Sequence, residues 1–172
     1  MLQVYLSLLD SEEEKTKFTD IYVRYRGLMF SIAKKHFDNE ADQEQVVDET
    51  LHAVLKIVRR IEDPASVKTK NLISLITRNK CIDLLRKRDG AVMDDLNNVP
   101  EVSKGTNALT QSDLSYAIAA LSETSRDMIG LRYYYGYSTR EIAKILGISH
   151  AAARKRLELA HKELKELLVD IE

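Results

Sequence analysis

The chain has 172 residues, enough for one medium domain or two small ones, and its formal net charge is −1. It contains 2 prolines, 6 glycines and no tryptophan, and no stretch alternates β-branched residues with period two, so we expect an all-α fold. The single cysteine, Cys81, excludes an internal disulfide framework and favours a reducing cytoplasm. Because the four histidines lack cysteine partners at ligand spacing, we predict no metal site and no cofactor.

The first ten residues, MLQVYLSLLD, are apolar but carry no basic residue and no small-residue cleavage site. They are not typical of a signal peptide and are far too short to span a bilayer. We interpret them as a short extra helix packed on the first domain. Since no other segment reaches membrane length, we predict a cytoplasmic protein without membrane insertion.

Three long helices are predicted next. Ser11 and Glu14 form a capping-box pattern that begins a helix, and its apolar periodicity continues to about Phe37. A second helix is predicted from about residue 42 to 61. After a proline and a polar loop, a third is predicted from about residue 71 to 88.

Charge is unevenly distributed over these helices. Residues 38–49 contain six acids and no Lys or Arg, whereas residues 68–88 contain seven bases and one acid. Acids in a first turn suit the helix dipole, but Asp48 and Glu49 lie further in and need another reason. One acidic and one basic surface favour two partners of opposite charge.

Residues 89–111 have weak periodicity, a proline, two glycines and a net charge of −3, from four acids and one lysine. A structureless stretch of this length is unusual inside one domain, so it is interpreted as a flexible acidic linker. We therefore expect an N-terminal helical domain (1–88), the linker (89–111) and a C-terminal domain (112–172) of roughly four helices.

The C-terminal domain ends in two helices joined by a sharp turn. Ser138 and Glu141 cap the first helix, Gly147 ends it, and Ser149 caps the second. A short helix, a glycine turn and a longer basic-fronted helix predict a helix-turn-helix, whose second helix fits the DNA major groove. The alternative is an ordinary helical hairpin with a solvated face; the clustered bases at 154–156 favour DNA binding.

Three segments together resemble the extracytoplasmic function (ECF) group of the sigma-70 family, which are bacterial transcription initiation factors. They are NEADQEQVVDETLHAVLK (39–56), TRNKCIDLLRKR (77–88) and LSETSRDMIGLRYYYGYSTREIAKILGISHAAARKRL (121–157). The resemblance implies that they hold the RNA polymerase core, meet the promoter −10 element and read the −35 element, respectively. It also allows an anti-sigma factor as a partner. The chain departs from the family at Leu159 and His161, where basic residues are common.

The resemblance implies two sets of contact residues in the first domain. The acidic helix would contact the polymerase core through Asp42, Gln45, Asp48, Glu49 and His52. The loop from 63 to 71 and the third helix would capture an unpaired nucleobase of the −10 element. Holding such a nucleobase requires polar side chains around it and basic side chains paired with the neighbouring phosphates. The −10 candidates are Lys68, Thr69, Lys70, Asn71, Arg78, Asn79, Asp83, Arg86 and Lys87.

The second domain would contact the −35 element through the helix that Ser149 caps. Arg154 and Lys155 can donate to guanine and Glu158 can accept from cytosine, so these three are the candidates for base reading. Arg156 lies nearer the core boundary and is assigned to phosphate. The full −35 set is Ser149, His150, Ala151, Ala152, Arg154, Lys155, Arg156 and Glu158.

Two other functions remain as alternatives. One is a freestanding helix-turn-helix transcriptional regulator, which would bind specific DNA without polymerase at about 10⁻⁸ M or tighter. The other is an enzyme, for which the acids at 38–49 are the only candidate cluster; no histidine joins them, so we predict that the chain is not an enzyme. Residues 1–88 carry a net charge of +2 and residues 113–172 carry 0, so affinity for DNA without polymerase should be poor.

Overall fold

The computed structural model describes residues 2–88 and 113–169, without the side chains of Asp113 and Val169. Within these ranges all regular structure is helical and no strand is present, as the sequence predicts. The predicted linker, 89–111, lies outside the described residues. The helices are α1 (Leu2–Leu6), α2 (Glu12–Ala33), α3 (Glu40–Leu55), α4 (Val67–Arg88), α5 (Asp113–Ala120), α6 (Glu123–Ile129), α7 (Thr139–Leu146) and α8 (His150–Val169).

The described residues divide into two compact units, one of residues 2–88 with 144–147 and one of residues 113–143 with 148–169. No helix in the described ranges is long and apolar enough to cross a membrane.

The first unit is a bundle in which α2, α3 and α4 pack on one another and α1 packs on α2. Its centre is apolar because each helix turns one stripe inward. The largest fully buried side chains there are Phe18, Ile21, Met29, Ile73 and Ile76. The short N-terminal helix that the sequence predicts is therefore present and lies on this bundle.

Two helix ends differ from the predicted ones. Helix α2 ends at Ala33, four residues before the predicted Phe37: the amides of Lys35 and His36 donate to carbonyls three residues back, and Phe37 is buried in the core. Helix α3 ends at Leu55, and a 3₁₀ turn at Val58–Arg60 replaces the last predicted turn. A 3₁₀ turn is held by hydrogen bonds between residues i and i+3, and such turns are frequent at the C-terminal ends of α-helices.

Helix α4 begins at Val67, four residues earlier than predicted. Ser66 acts as its cap: the Ser66 hydroxyl accepts a hydrogen bond from the Thr69 amide at 3.1 Å. Asp63 closes the preceding turn by accepting from the amide of Ala65 at 2.9 Å. The predicted loop from 63 to 71 is thus half helix.

In the second unit, α8 packs against α5 and α6. Leu121, Met128, Leu131 and Ala160 are almost completely buried there. A π-helical turn, Gly130–Tyr134, extends α6 and ends before Gly136, which adopts a φ of 70°. Two large apolar residues of this unit, Leu114 and Tyr133, are exposed.

The helix-turn-helix forms as predicted. Its capping box is complete: the Ser138 amide donates to the Glu141 carboxylate at 2.8 Å, and the Glu141 amide donates to the Ser138 hydroxyl at 3.3 Å. Gly147 adopts a φ of 73°, a conformation that only glycine takes at little cost. The Ser149 hydroxyl then accepts from the Ala152 amide at 3.1 Å and begins α8.

Candidate nucleic-acid interface

The orientation of α8 separates a buried stripe from a polar face. Ala153 and Ala160 are completely buried, which turns the opposite side of the helix outward. Arg156 is half-buried beside that stripe, as the sequence predicts. The exposed −35 candidates are Ser149, His150, Ala151, Arg154, Lys155 and Glu158, and Ala152 is half-buried.

Two of the predicted base readers lie next to each other. An Arg154 guanidinium nitrogen is 3.8 Å from a Glu158 carboxylate oxygen, and both side chains are about two-thirds exposed. An exposed i,i+4 pair of this kind contributes only about 0.3–0.5 kcal/mol. Both groups can therefore exchange this contact for contacts to base edges at little cost.

The outward face of α8 continues past the predicted readers to His161. The Tyr133 hydroxyl, from the π-helical turn, lies 2.8 Å from Nε2 of His161, and the two rings are 5.7 Å apart. By its spacing from Ile129, Tyr133 would share the inward stripe of an unbroken α6. The π turn changes that register and places the ring beside α8.

The −10 candidates lie on α4. Lys68, Lys70 and Asn71 are exposed on its first turn, and not in a loop as predicted. Thr69 is buried, and its hydroxyl donates to the carbonyl of Asp63 at 2.7 Å. The Thr69 hydroxyl is therefore engaged in the turn and is not accessible on the surface of α4.

Further along α4 the candidates differ in exposure. Asn79 is buried and its amide donates to the Leu75 carbonyl at 2.9 Å. Arg78, Asp83 and Arg86 are half-buried and Lys87 is exposed.

The candidate residues on the acidic face of α3 also differ in burial. Asp42 is buried, its amide is capped by Asn39, and its carboxylate forms an ion pair with Arg88 at the end of α4. Asp42 therefore takes part in the packing of α3 on α4 and is not accessible on this face. The Arg88 guanidinium also lies 5.7 Å from the centre of the Phe37 ring.

The remaining acids of this face are accessible. Gln45 donates to the Glu49 carboxylate at 3.0 Å, and both side chains reach the surface. Asp48 accepts a hydrogen bond from the hydroxyl of Tyr5 on α1. His52 Nδ1 lies 2.9 Å from the Asp48 carbonyl oxygen and 3.4 Å from the Asp48 carboxylate. Among residues 2–88 and 113–169, no three His, Cys, Asp or Glu side chains cluster as metal ligands.

Comparison with known proteins identifies both units. The first matches the family model for sigma-70 region 2 over residues 21–91, and the second matches the model for sigma-70, region 4, over residues 111–164. The ECF RNA polymerase sigma factor SigL of Mycobacterium tuberculosis is 29% identical over 157 residues, covering 88% of each chain. The RNA polymerase sigma factor SigZ of Bacillus subtilis is 26% identical over 141 residues, covering 78% of this chain and 80% of SigZ.

Two solved structures are also similar. RpoE with the anti-sigma factor NepR, from Bartonella quintana, covers 88% of this chain and 96% of its own at 23% identity, with a TM-score of 0.35. The structure of CnrH in complex with the cytosolic domain of CnrY covers 99% of this chain and 96% of its own chain, at 21% identity and with a TM-score of 0.37.

Two helical units that match regions 2 and 4, the second with a helix-turn-helix, define a transcription initiation factor that binds DNA. The chain belongs to the sigma-70 family and, within it, to the ECF group. Its role is that of a sigma factor in transcription initiation.

Proposed function

We propose that the chain binds bacterial RNA polymerase core through α3 and directs it to promoters by contacting the −10 element with α4 and the −35 element with α8. The observation that carries this proposal is the orientation of α8. Its apolar stripe is buried while its capped N-terminal turns present Arg154, Lys155 and Glu158 outward. The sigma-70 regions that match the two units support the same division of labour.

The dimensions of α8 suit the proposed −35 contact. Residues 150 to 158 extend about 12 Å along the helix at 1.5 Å per residue, which corresponds to three or four base pairs. The small side chains of Ala151 and Ala152 permit close approach to the groove. Arg and Lys donate to guanine acceptors, and Glu accepts from cytosine.

The first turn of α4 supports the proposed −10 contact. It contains no acid but carries Lys68 and Lys70, which are exposed. Basic residues at a helix N-terminus oppose the helix dipole, so this turn is better suited to an anionic partner than to the isolated protein. Backbone phosphates of promoter DNA are such a partner.

The accessible polar residues of α3 form the proposed polymerase surface, which, without the buried Asp42, consists of Gln45, Asp48, Glu49 and His52. Complementary charge brings a basic partner surface to such a face and fixes its register. We also propose an anti-sigma factor as a partner, as the family resemblance implies; RpoE of Bartonella quintana is bound to the anti-sigma factor NepR in its own solved structure.

Transcription in vitro tests the proposal. Purified bacterial core polymerase, with and without the chain, is presented with a genomic library, and the start sites are sequenced. We expect a distinct set of start sites that share −10 and −35 sequences and depend on the chain. An unchanged set of transcripts would contradict the proposal.

Binding without polymerase separates the proposal from a freestanding regulator. Residues 113–172 contain nine bases and nine acids, so they supply little net attraction for phosphates. We expect the chain alone to bind its promoters far more weakly than the ~10⁻⁸ M typical of specific regulators. Tight, sequence-specific binding by the chain alone would favour the regulator.

A further inference from the structure

Tyr5 joins α1 to the proposed polymerase surface. It is 4% exposed, and its ring lies 5.6 Å from the ring of Phe18 on α2 and 5.4 Å, edge-on, from the ring of His52 on α3. Its hydroxyl donates a hydrogen bond to the carboxylate of Asp48. Tyr5, on the N-terminal helix, thus contacts two of the four residues of the proposed polymerase surface, Asp48 and His52.

Asp48 is held from two sides and still reaches solvent. One carboxylate oxygen accepts from Tyr5, and the other lies 3.4 Å from His52 Nδ1. The Asp48 side chain nevertheless remains 44% exposed. A carboxylate has about four lone-pair positions, so these neighbours leave room for a further donor from a partner.

The hydroxyl of Tyr5 is a hydrogen-bond donor over a wide range of pH. Burial raises the pKa of Tyr5 well above its usual value, and the hydrogen bond to Asp48 raises it further. The phenol therefore keeps its proton at neutral pH. The ring is packed between α2 and α3, so the position of its hydroxyl oxygen beside Asp48 is fixed by the core.

We propose that Tyr5 is a positioning residue for the polymerase contact, holding the Asp48 carboxylate in the orientation that a basic side chain of the polymerase core meets. The inference rests on the proposed function of the α3 face. Its physical basis is that a surface carboxylate held in one rotamer before binding loses less conformational entropy when the complex forms.

The test measures the affinity of the full chain for core polymerase with Tyr5→Phe, Asp48→Asn and the double variant. Tyr5→Phe keeps the packed ring and removes only the hydroxyl. We expect it to weaken binding about three- to tenfold, the range expected for ordering one side chain. In the Asp48→Asn background the same substitution should have little further effect, because Tyr5 acts through the carboxylate.

Tyr25→Phe is the matched control. Tyr25 is also a buried tyrosine of the first unit, and its hydroxyl donates to the carbonyl of Pro64 at 2.7 Å. A general loss of stability would lower the melting temperature and the affinity in both Tyr→Phe variants. We expect only Tyr5→Phe to change the affinity.

Three outcomes would overturn the inference: unchanged binding by Tyr5→Phe, tighter binding by it, or an equal loss in the Asp48→Asn background. The failure of the proposed polymerase face gives a different result. In that case Asp48→Asn alone leaves the affinity unchanged, and the inference falls with it. If Asp48→Asn weakens binding while Tyr5→Phe does not, only the inference is wrong.

Discussion

The ion pair between Asp42 and Arg88 shows how single side chains divide a charged face between packing and function. Asp42 is nearly completely buried, whereas Asp48 and Glu49, nearly two turns further on, reach the surface. The pair joins the start of α3 to the end of α4. Acids that look equivalent in the chain thus have separate roles.

At the residue scale, the base readers give the first prediction. Lys155→Ala or Glu158→Ala should cost about 1–3 kcal/mol of promoter discrimination and relax the preference at one base. Arg156→Ala should weaken all promoters alike and reduce the salt dependence, because we assign it to phosphate. The measurement is transcription from a library randomised at the −35 element, with each variant bound to core polymerase. If both alanine variants keep the wild-type preference, α8 does not read bases through these residues.

Cys81 gives a second prediction at this scale. It is completely buried among Ala33, Phe37, Val46 and Leu84, and burial raises the pKa of its thiol to about 11. At pH 8 only about one thiol in a thousand is then ionised, and the thiolate is the reactive form. We expect iodoacetamide to modify the folded chain far more slowly than the chain in urea. Equal rates would show that the thiol is accessible.

At the scale of the element, helix caps decide where the recognition helix begins. Ser149 satisfies the Ala152 amide, and Gly147 supplies the positive φ that ends α7. Both signals act within a few residues. This explains why the beginning of α8 falls where the sequence predicts it, whereas the ends of α2 and α3 do not.

The cap itself can be tested. Ser149→Ala should destabilise the chain by about 1 kcal/mol, because the Ala152 amide loses its acceptor. Ser149→Asn should retain most of the stability, since asparagine caps as well as serine. Thermal unfolding followed by circular dichroism measures both. Equal stabilities of Ser149→Ala and the wild type would mean that the cap contributes nothing here.

At the scale of the whole molecule, function depends on a partner that supplies what the chain lacks. Net charges of +2 for residues 1–88 and 0 for residues 113–172 give weak attraction for DNA. Assembly through the acidic face of α3 would compensate by tethering both units to the promoter.

Charge reversal tests this dependence. Asp48→Lys with Glu49→Lys should abolish co-purification with core polymerase and leave the helical content unchanged, because both side chains are partly exposed. Glu12→Lys with Glu13→Lys is the matched control: it makes the same change in charge on α2, at side chains that are 88% and 75% exposed. Normal core binding by the α3 variant would place the docking surface elsewhere.

Local signals in the sequence are enough to predict the all-α class, the extra N-terminal helix and the helix-turn-helix. These depend on local signals: apolar periodicity, the Ser138–Glu141 capping box and Gly147. The family resemblance also came from short segments in order, and the matches to sigma-70 regions 2 and 4 confirm it.

Which candidate residues lie at the surface depends on how the helices pack, and this is seen only in the tertiary structure. Asp42 meets Arg88 across 46 positions in the chain, and Tyr5 meets Asp48 across 43, so neither contact leaves a local pattern. Thr69 and Asn79 were chosen by residue type, and their burial followed from the packing of α4. Burial is a property of how helices pack, and a single helix carries only the periodicity that makes such packing possible.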